Sequence, residues 1–123
     1  VEDVEHLAQL VCHVVGLVKI PTTTEKAAQD EIEAILSGIG IPYQREYKLS
    51  AADRPDFMVA GSVAVEVKVM GSEGKVQIFN QLKRYAIHPE VKALVLITGK
   101  SMGLPMEIEG KPVYFLALGK KWL

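Results

Sequence analysis

Arg54-Pro55-Asp56-Phe57-Met58-Val59-Ala60-Gly61-Ser62-Val63-Ala64-Val65-Glu66-Val67-Lys68-Val69 is the stretch whose reading decides the fold. Two short β-branched and aromatic runs flank Ala60-Gly61-Ser62, the pattern of a hairpin in which Gly61 is free to take a positive backbone angle. A slip of one residue would turn every apolar side chain to the other face, so the hydrophobic pattern selects the register. With a three-residue loop, Val59 faces Val63, Phe57 faces Val65, and Asp56 faces Glu66. Phe57, Val59, Val63, Val65, Val67 and Val69 then share one face, and Asp56, Met58, Ala64, Glu66 and Lys68 share the other. Two carboxylates stand opposite each other, roughly 5 Å apart at Cβ, with an ammonium two residues on. Like charges so placed are destabilising. A divalent cation would convert that repulsion into coordination, and the lysine would stabilise developing negative charge or orient a water. The bland alternative is a half-exposed strand with Glu66 and Lys68 in solvent.

Outward from the hairpin, Val4, Leu7, Ala8, Val11, Val14, Val15 and Val18 recur at the spacing of one helical face. Pro21 ends that pattern, and Thr22 with Glu25 has the spacing of a capping box opening a second helix that runs to about Leu36. A strand is expected over 42–49, the hairpin strands over 56–59 and 63–69, and a long helix over 73–88 with Ser72 as its N-cap. The nearly continuous apolar run over 91–98 predicts a strand covered on both faces, and 113–118 predicts a last strand. The order is helix, helix, three strands, helix, strand, strand: a single α/β domain over residues 1–123.

The composition is 49% hydrophobic and 24% charged, which fits a globular chain with an ordinary core. A net charge of −1 excludes binding of nucleic acid by bulk electrostatics, so any such contact must be local. The apolar segment over 7–20 is interrupted by Gln9, His13, Gly16 and Lys19 and reads as neither a signal peptide nor a membrane span. A single cysteine, Cys12, gives no disulfide framework; a cytoplasmic setting without membrane association is expected. His6, Cys12 and His13 lack the paired spacing of a zinc site, and no Walker loop or nucleophile elbow is present.

Pro55-Asp56, nine intervening residues, and Glu66-Val67-Lys68 resemble the signature of the PD-(D/E)xK nuclease superfamily. The resemblance covers roughly residues 24–98 and implies a restriction-endonuclease-like core of helix, three strands, helix and strand, here with an extra N-terminal helix and a C-terminal strand. It implies that Asp56, Glu66, the carbonyl of Val67 and a helix carboxylate bind Mg²⁺ or Mn²⁺, and that Lys68 assists the attacking water. Glu25 is the first choice for the helix carboxylate and Glu31 the second; the capping-box spacing offers Glu25 a purely structural role. Gln81 and Tyr85 match the QxxxY motif of the RecB-like branch and share a helical face, which directs both toward the hairpin.

The implied activity is metal-dependent hydrolysis of DNA, in recombination, repair or phage DNA processing. Lys83 and Arg84 are candidates for the DNA backbone. A homodimer would widen the DNA-contacting surface. The rival reading is a non-catalytic module of the same fold that binds nucleic acid or protein.

Overall fold

The computed structural model describes residues 3–118, so the expected domain of 1–123 extends outside the described residues at both ends. Helix α1 (Val4–Gly16) begins at Asp3, whose carboxylate accepts from the His6 N–H, and buries Ala8, Val11 and Val15. Helix α2 (Glu25–Gly38) buries Ala28, Ile32 and Leu36 at the spacing of one face. Its cap is Thr24 rather than Thr22: Thr24 is extended (φ −143°) and its hydroxyl accepts from the Ala27 N–H at 3.0 Å. Glu25 is therefore the first helical residue, and the capping box expected between Thr22 and Glu25 is absent.

The strands β1 (Tyr43–Arg45), β2 (Phe57–Val59), β3 (Val63–Lys68), β4 (Ala93–Thr98), β5 (Glu107–Ile108) and β6 (Lys111–Ala117) form one mixed sheet in the order β1-β2-β3-β4-β6-β5. Phe57 pairs with Val65, Met58 with Ala64 and Val59 with Val63, the register selected by the apolar pattern. Helix α3 (Lys75–Ile87) crosses from β3 to the parallel β4, and β6 continues the parallel order on the far side of β4. The first strand is shorter than the expected 42–49, because Glu46 turns the chain with φ 52° into a loop that lasts to Asp56. The two-residue β5 escaped the sequence pattern altogether. The third helix is capped by Gly74 rather than Ser72 and begins at Lys75, which leaves Glu73 outside it and within reach of Lys68.

The sheet separates two cores. On one side Phe57, Val59, Val63, Val65, Val67 and Val69 pack with Val95 and Ile97 against α1 and α2. On the other, Met58, Ala64, Leu94 and Leu96 pack against Ile78, Leu82, Tyr85 and Ala86 of α3. The face that carries Glu66 is thus roofed by a helix, not open to solvent. Every residue of β4 is buried, as its unbroken apolar run requires. Among the described residues no helix is long and apolar enough to cross a membrane.

The hairpin turn places Ala60 at φ 50° and Gly61 at φ 70°, closed by the Ser62 N–H on the Val59 carbonyl at 3.0 Å. Two consecutive left-handed residues are the geometry that Asn-Gly adopts best, and alanine takes it at a cost of roughly 1 kcal/mol. Ala60→Asn is expected to raise stability by about 0.5–1 kcal/mol in urea unfolding. A lower midpoint would contradict the left-handed pair.

Candidate active site

The alternation of β3 sends Val63, Val65 and Val67 to the α1–α2 core and Ala64, Glu66 and Lys68 beneath α3. Glu66 is 4% exposed. Both of its carboxylate oxygens have partners: Oε1 accepts from the Tyr85 hydroxyl at 3.0 Å, and Oε2 lies 3.1 Å from the Lys68 ammonium. Tyr85 also reaches the Arg54 carbonyl at 3.2 Å, which joins α3 to the loop preceding Asp56.

Asp56 stands just before β2, and its Oδ2 accepts from the Val67 N–H at 2.7 Å. Its own carbonyl accepts from the Glu46 N–H at 2.7 Å, so the loop is held at both ends of this residue. The side chain is thereby tied to the strand that bears Glu66. Burial pushes the Asp56 carboxyl well above the usual range, against the lowering effects of the Val67 N–H and Lys68. Burial also raises Glu66, and the Asp56 charge raises it further. The two carboxyls therefore share an environment that opposes their both being ionised.

Lys68 bridges Glu66 and Glu73, each at 3.1 Å. Burial alone would lower its pKa, but the two carboxylates outweigh burial and hold it above the ordinary value. Lys68 is accordingly an ammonium, suited to stabilise negative charge or fix a water, not to remove a proton.

Glu25 sits at the N-terminus of α2, where its Oε2 accepts from the Met70 N–H at 3.2 Å. Its charge contributes to raising Asp56, and it lines a small recess together with Lys68, Gly71 and Glu73. The sequence preference for Glu25 over Glu31 thus places the first-choice carboxylate beside this site, bonded to the backbone beyond β3. Among the described residues no three acidic, histidine or cysteine side chains are grouped closely enough to hold a metal ion as they stand, Asp56, Glu66 and Glu25 included.

The donor set suits a hard cation in its chemistry: the half-buried Asp56 carboxylate disfavours ionisation of the buried Glu66, and carboxylate oxygens are the ligands that Mg²⁺ or Mn²⁺ prefers.

Gln81 and Tyr85 divide in role. Tyr85 is 1% exposed and bonds Glu66, whereas Gln81 is half-buried and its Oε1 has no hydrogen-bond partner among the described residues. A buried amide oxygen left unpaired costs about 1–3 kcal/mol. Lys83 and Arg84 are less free than sequence implies: Lys83 lies 3.9 Å from Glu109, and Arg84 Nε donates to Asp53 Oδ1 at 3.0 Å.

Asp53 is the residue that the sequence reading missed. It is 8% exposed, and besides Arg84 it bonds the His88 ring at 3.0 Å through its other oxygen. Those two partners hold its carboxyl below the ordinary range against the effect of burial. Its backbone carbonyl accepts from Leu49 and Ser50, and the Ser50 hydroxyl accepts from the Asp53 N–H. Asp53, Arg84 and His88 therefore clasp the 46–56 loop to α3 three residues ahead of Asp56. The available signal was the acidic residue at −3 from Asp56 with basic residues at the end of the following helix, but their separation of 31 and 35 residues hid the contact.

Comparison with protein-family models, curated proteins and solved structures finds no match for this chain.

Two stability measurements follow. Because the Asp56 carboxyl is raised in the folded state, ionisation costs stability progressively as pH climbs above the unfolded value of about 4. Without divalent metal, Asp56→Asn is expected to be more stable than wild type by roughly 1–3 kcal/mol at pH 8, with the gain vanishing below about pH 4. A pH-independent difference would reject the burial of an ionised Asp56 as its cause. Asp53→Ala, which leaves Arg84 and His88 without their shared carboxylate, should cost about 1–2 kcal/mol, discounted for the half-exposed arginine, and speed proteolysis within 46–56. Unchanged proteolysis would show that the clasp does not hold the loop.

Proposed function

We propose that this chain is a metal-dependent deoxyribonuclease of the PD-(D/E)xK kind, with a restriction-endonuclease-like core spanning α2 to β4. The observation that carries the reading is the half-buried Asp56, bonded to the Val67 N–H, beside the buried Glu66 on a hairpin whose next residue on that face is Lys68. A buried carboxylate with a second, half-buried carboxylate beside it is costly, and a cation joining the two would offset that cost.

Asp56, Glu66 and the Val67 carbonyl would hold the ion, with Glu25 contributing after release from the Met70 N–H. The ion would supply positive charge to polarise the phosphodiester and lower the pKa of a water. Tyr85 orients Glu66 through Oε1, leaving its other oxygen to Lys68. Lys68, as an ammonium, stabilises charge on the phosphoryl oxygens or fixes the attacking water. The Asp53 clasp keeps Asp56 in register with β3. Gln81, at the middle of α3 one turn before Tyr85 on the same helical face, has an unpaired carbonyl left to accept a hydrogen bond.

The alternative, a non-catalytic module of the same fold, gains support from one feature: the Lys68 ammonium lies 3.1 Å from both Glu66 and Glu73, so the chain itself offsets part of their charge. The two readings separate by calorimetry and by cleavage. Titration with Mn²⁺ should give saturable binding that Asp56→Ala abolishes, and wild type should cut supercoiled, linear, single-stranded or branched DNA in Mg²⁺ or Mn²⁺. Lys68→Ala is expected to keep the fold and lose cleavage by about 10²-fold or more. A folded Lys68→Ala protein with wild-type activity would remove the lysine's role, and metal binding indifferent to Asp56→Ala would favour the binding module.

A further inference from the structure

Beside Lys68 the sheet ends in a cleft of about 520 Å³, lined among others by Val69, Met70, Lys75, Lys100 and Met102. Its volume lies in the range of about 300–1,000 Å³ common for small-ligand sites. The cleft opens where the parallel strands β3 and β4 end at Lys68 and Thr98, against the N-terminal turn of the 13-residue α3. Gly99 permits this: a Cβ there would come within 2.9 Å of the Val69 carbonyl oxygen. The Thr98 hydroxyl donates to the Lys100 carbonyl at 2.6 Å, which fixes the turn that presents Lys100.

Three lysines line the cleft against one acidic residue, Glu73, which is already engaged by Lys68. Among the described residues neither Lys75 nor Lys100 has a carboxylate within 4.0 Å. Their charge on a chain of net charge −1 is concentrated at one end of the sheet together with the positive end of a helix. Apolar side chains alternate with that charge: Val69 is buried, Met70 is 53% exposed, and Met102 is partly buried. Lysine heads match phosphate oxygens, and flexible thioethers adapt to the flat face of an aromatic ring.

We propose that this cleft seats one nucleotide unit of the DNA strand adjoining the phosphodiester held at Lys68, its flanking phosphate on Lys75 and Lys100 and its base against Met70 and Met102. The inference rests on the nuclease reading for the position of the scissile phosphate, since Lys68 belongs to both the carboxylate pair and the cleft wall.

The test measures binding of a fluorescein-labelled thymidine decamer to the full chain by anisotropy in EDTA between 50 and 200 mM salt, with cleavage in Mg²⁺ and Mn²⁺ followed in parallel. Lys75→Gln/Lys100→Gln should weaken binding at least tenfold and reduce the salt slope by about 0.7, the value for one single-strand phosphate contact. Lys75→Arg/Lys100→Arg should restore most of it, and Lys26→Gln/Lys48→Gln, which does not touch the cleft, should change neither. If wild type binds and cuts while the Lys75→Gln/Lys100→Gln protein does both equally well, the cleft is not the subsite and the nuclease reading stands. Salt-dependent binding through Lys75 and Lys100 without any cleavage keeps the cleft as a strand site and removes the nuclease reading. Displacement of the decamer by thymidine monophosphate at equal concentration would overturn the strand assignment in favour of a free nucleotide. A wild type that neither binds nor cuts overturns both.

Discussion

Glu66 lies under a helix at 4% exposure, with one carboxylate oxygen bonded to Tyr85 and the other facing Lys68, and much of the molecule is arranged around keeping it there. A buried carboxylate without such partners would be neutralised or would unfold its surroundings. Tyr85 is one of those partners, and its position is set by Ile78, Leu82 and Ala86, which seat α3 on Ala64, Leu94 and Leu96. Ala64 is small, which leaves room for the helix to approach the strand. The same tyrosine reaches the Arg54 carbonyl, so one hydroxyl connects the roof, the strand and the loop that delivers Asp56.

The price of this arrangement is a concentration of charge in a place of low dielectric. Burial raises the proton affinity of both Asp56 and Glu66, and the Asp56 charge raises that of Glu66 further, while Lys68 is held charged by Glu66 and Glu73. Such a cluster stores unfavourable energy, because like charges stand close together away from water. Around it the remaining polar contacts are structural. Arg45 ties Asp30 and Glu33 of α2 to the edge strand, with its guanidinium 5.9 Å from the Phe57 ring centre, and Lys111 donates to the Ala86 and His88 carbonyls at the end of α3. Both fasten the two helical layers to the sheet and thereby fix the walls of the site. The Asp53 clasp does the same for the loop.

The hairpin was legible because its information is local. Alternation over 57–59 and 63–69 allows one register in which all large apolar residues agree, and that register carries Asp56 and Glu66 to one end of the hairpin and Lys68 to the same face. The three helices and the buried β4 were legible for the same reason, through periodicity and unbroken apolarity. Helix starts were less so: Thr22 and Ser72 satisfy the local chemistry of a cap as well as Thr24 and Gly74 do, and the choice was made by where Glu25 and Glu73 find partners. The short β1 and β5 depend on left-handed residues at Glu46 and Glu109, for which side-chain pattern gives no warning.

What the amino-acid sequence determined by itself, then, is the register of one hairpin, the faces of three helices and the chemical character of the residues at their junction, because each follows from neighbours a few residues apart. Only the tertiary structure decided that α3 covers the Glu66 face, that Asp53 receives Arg84 and His88, and that Lys75 and Lys100 meet at one cleft. Those outcomes join segments about 20 to 35 residues apart through the α3 crossover from β3 to the parallel β4. Burial, and with it the raised proton affinity of the carboxylates, is a property of that crossover: the same Asp56, Glu66 and Lys68 on a hairpin open to water would be an ordinary solvated strand.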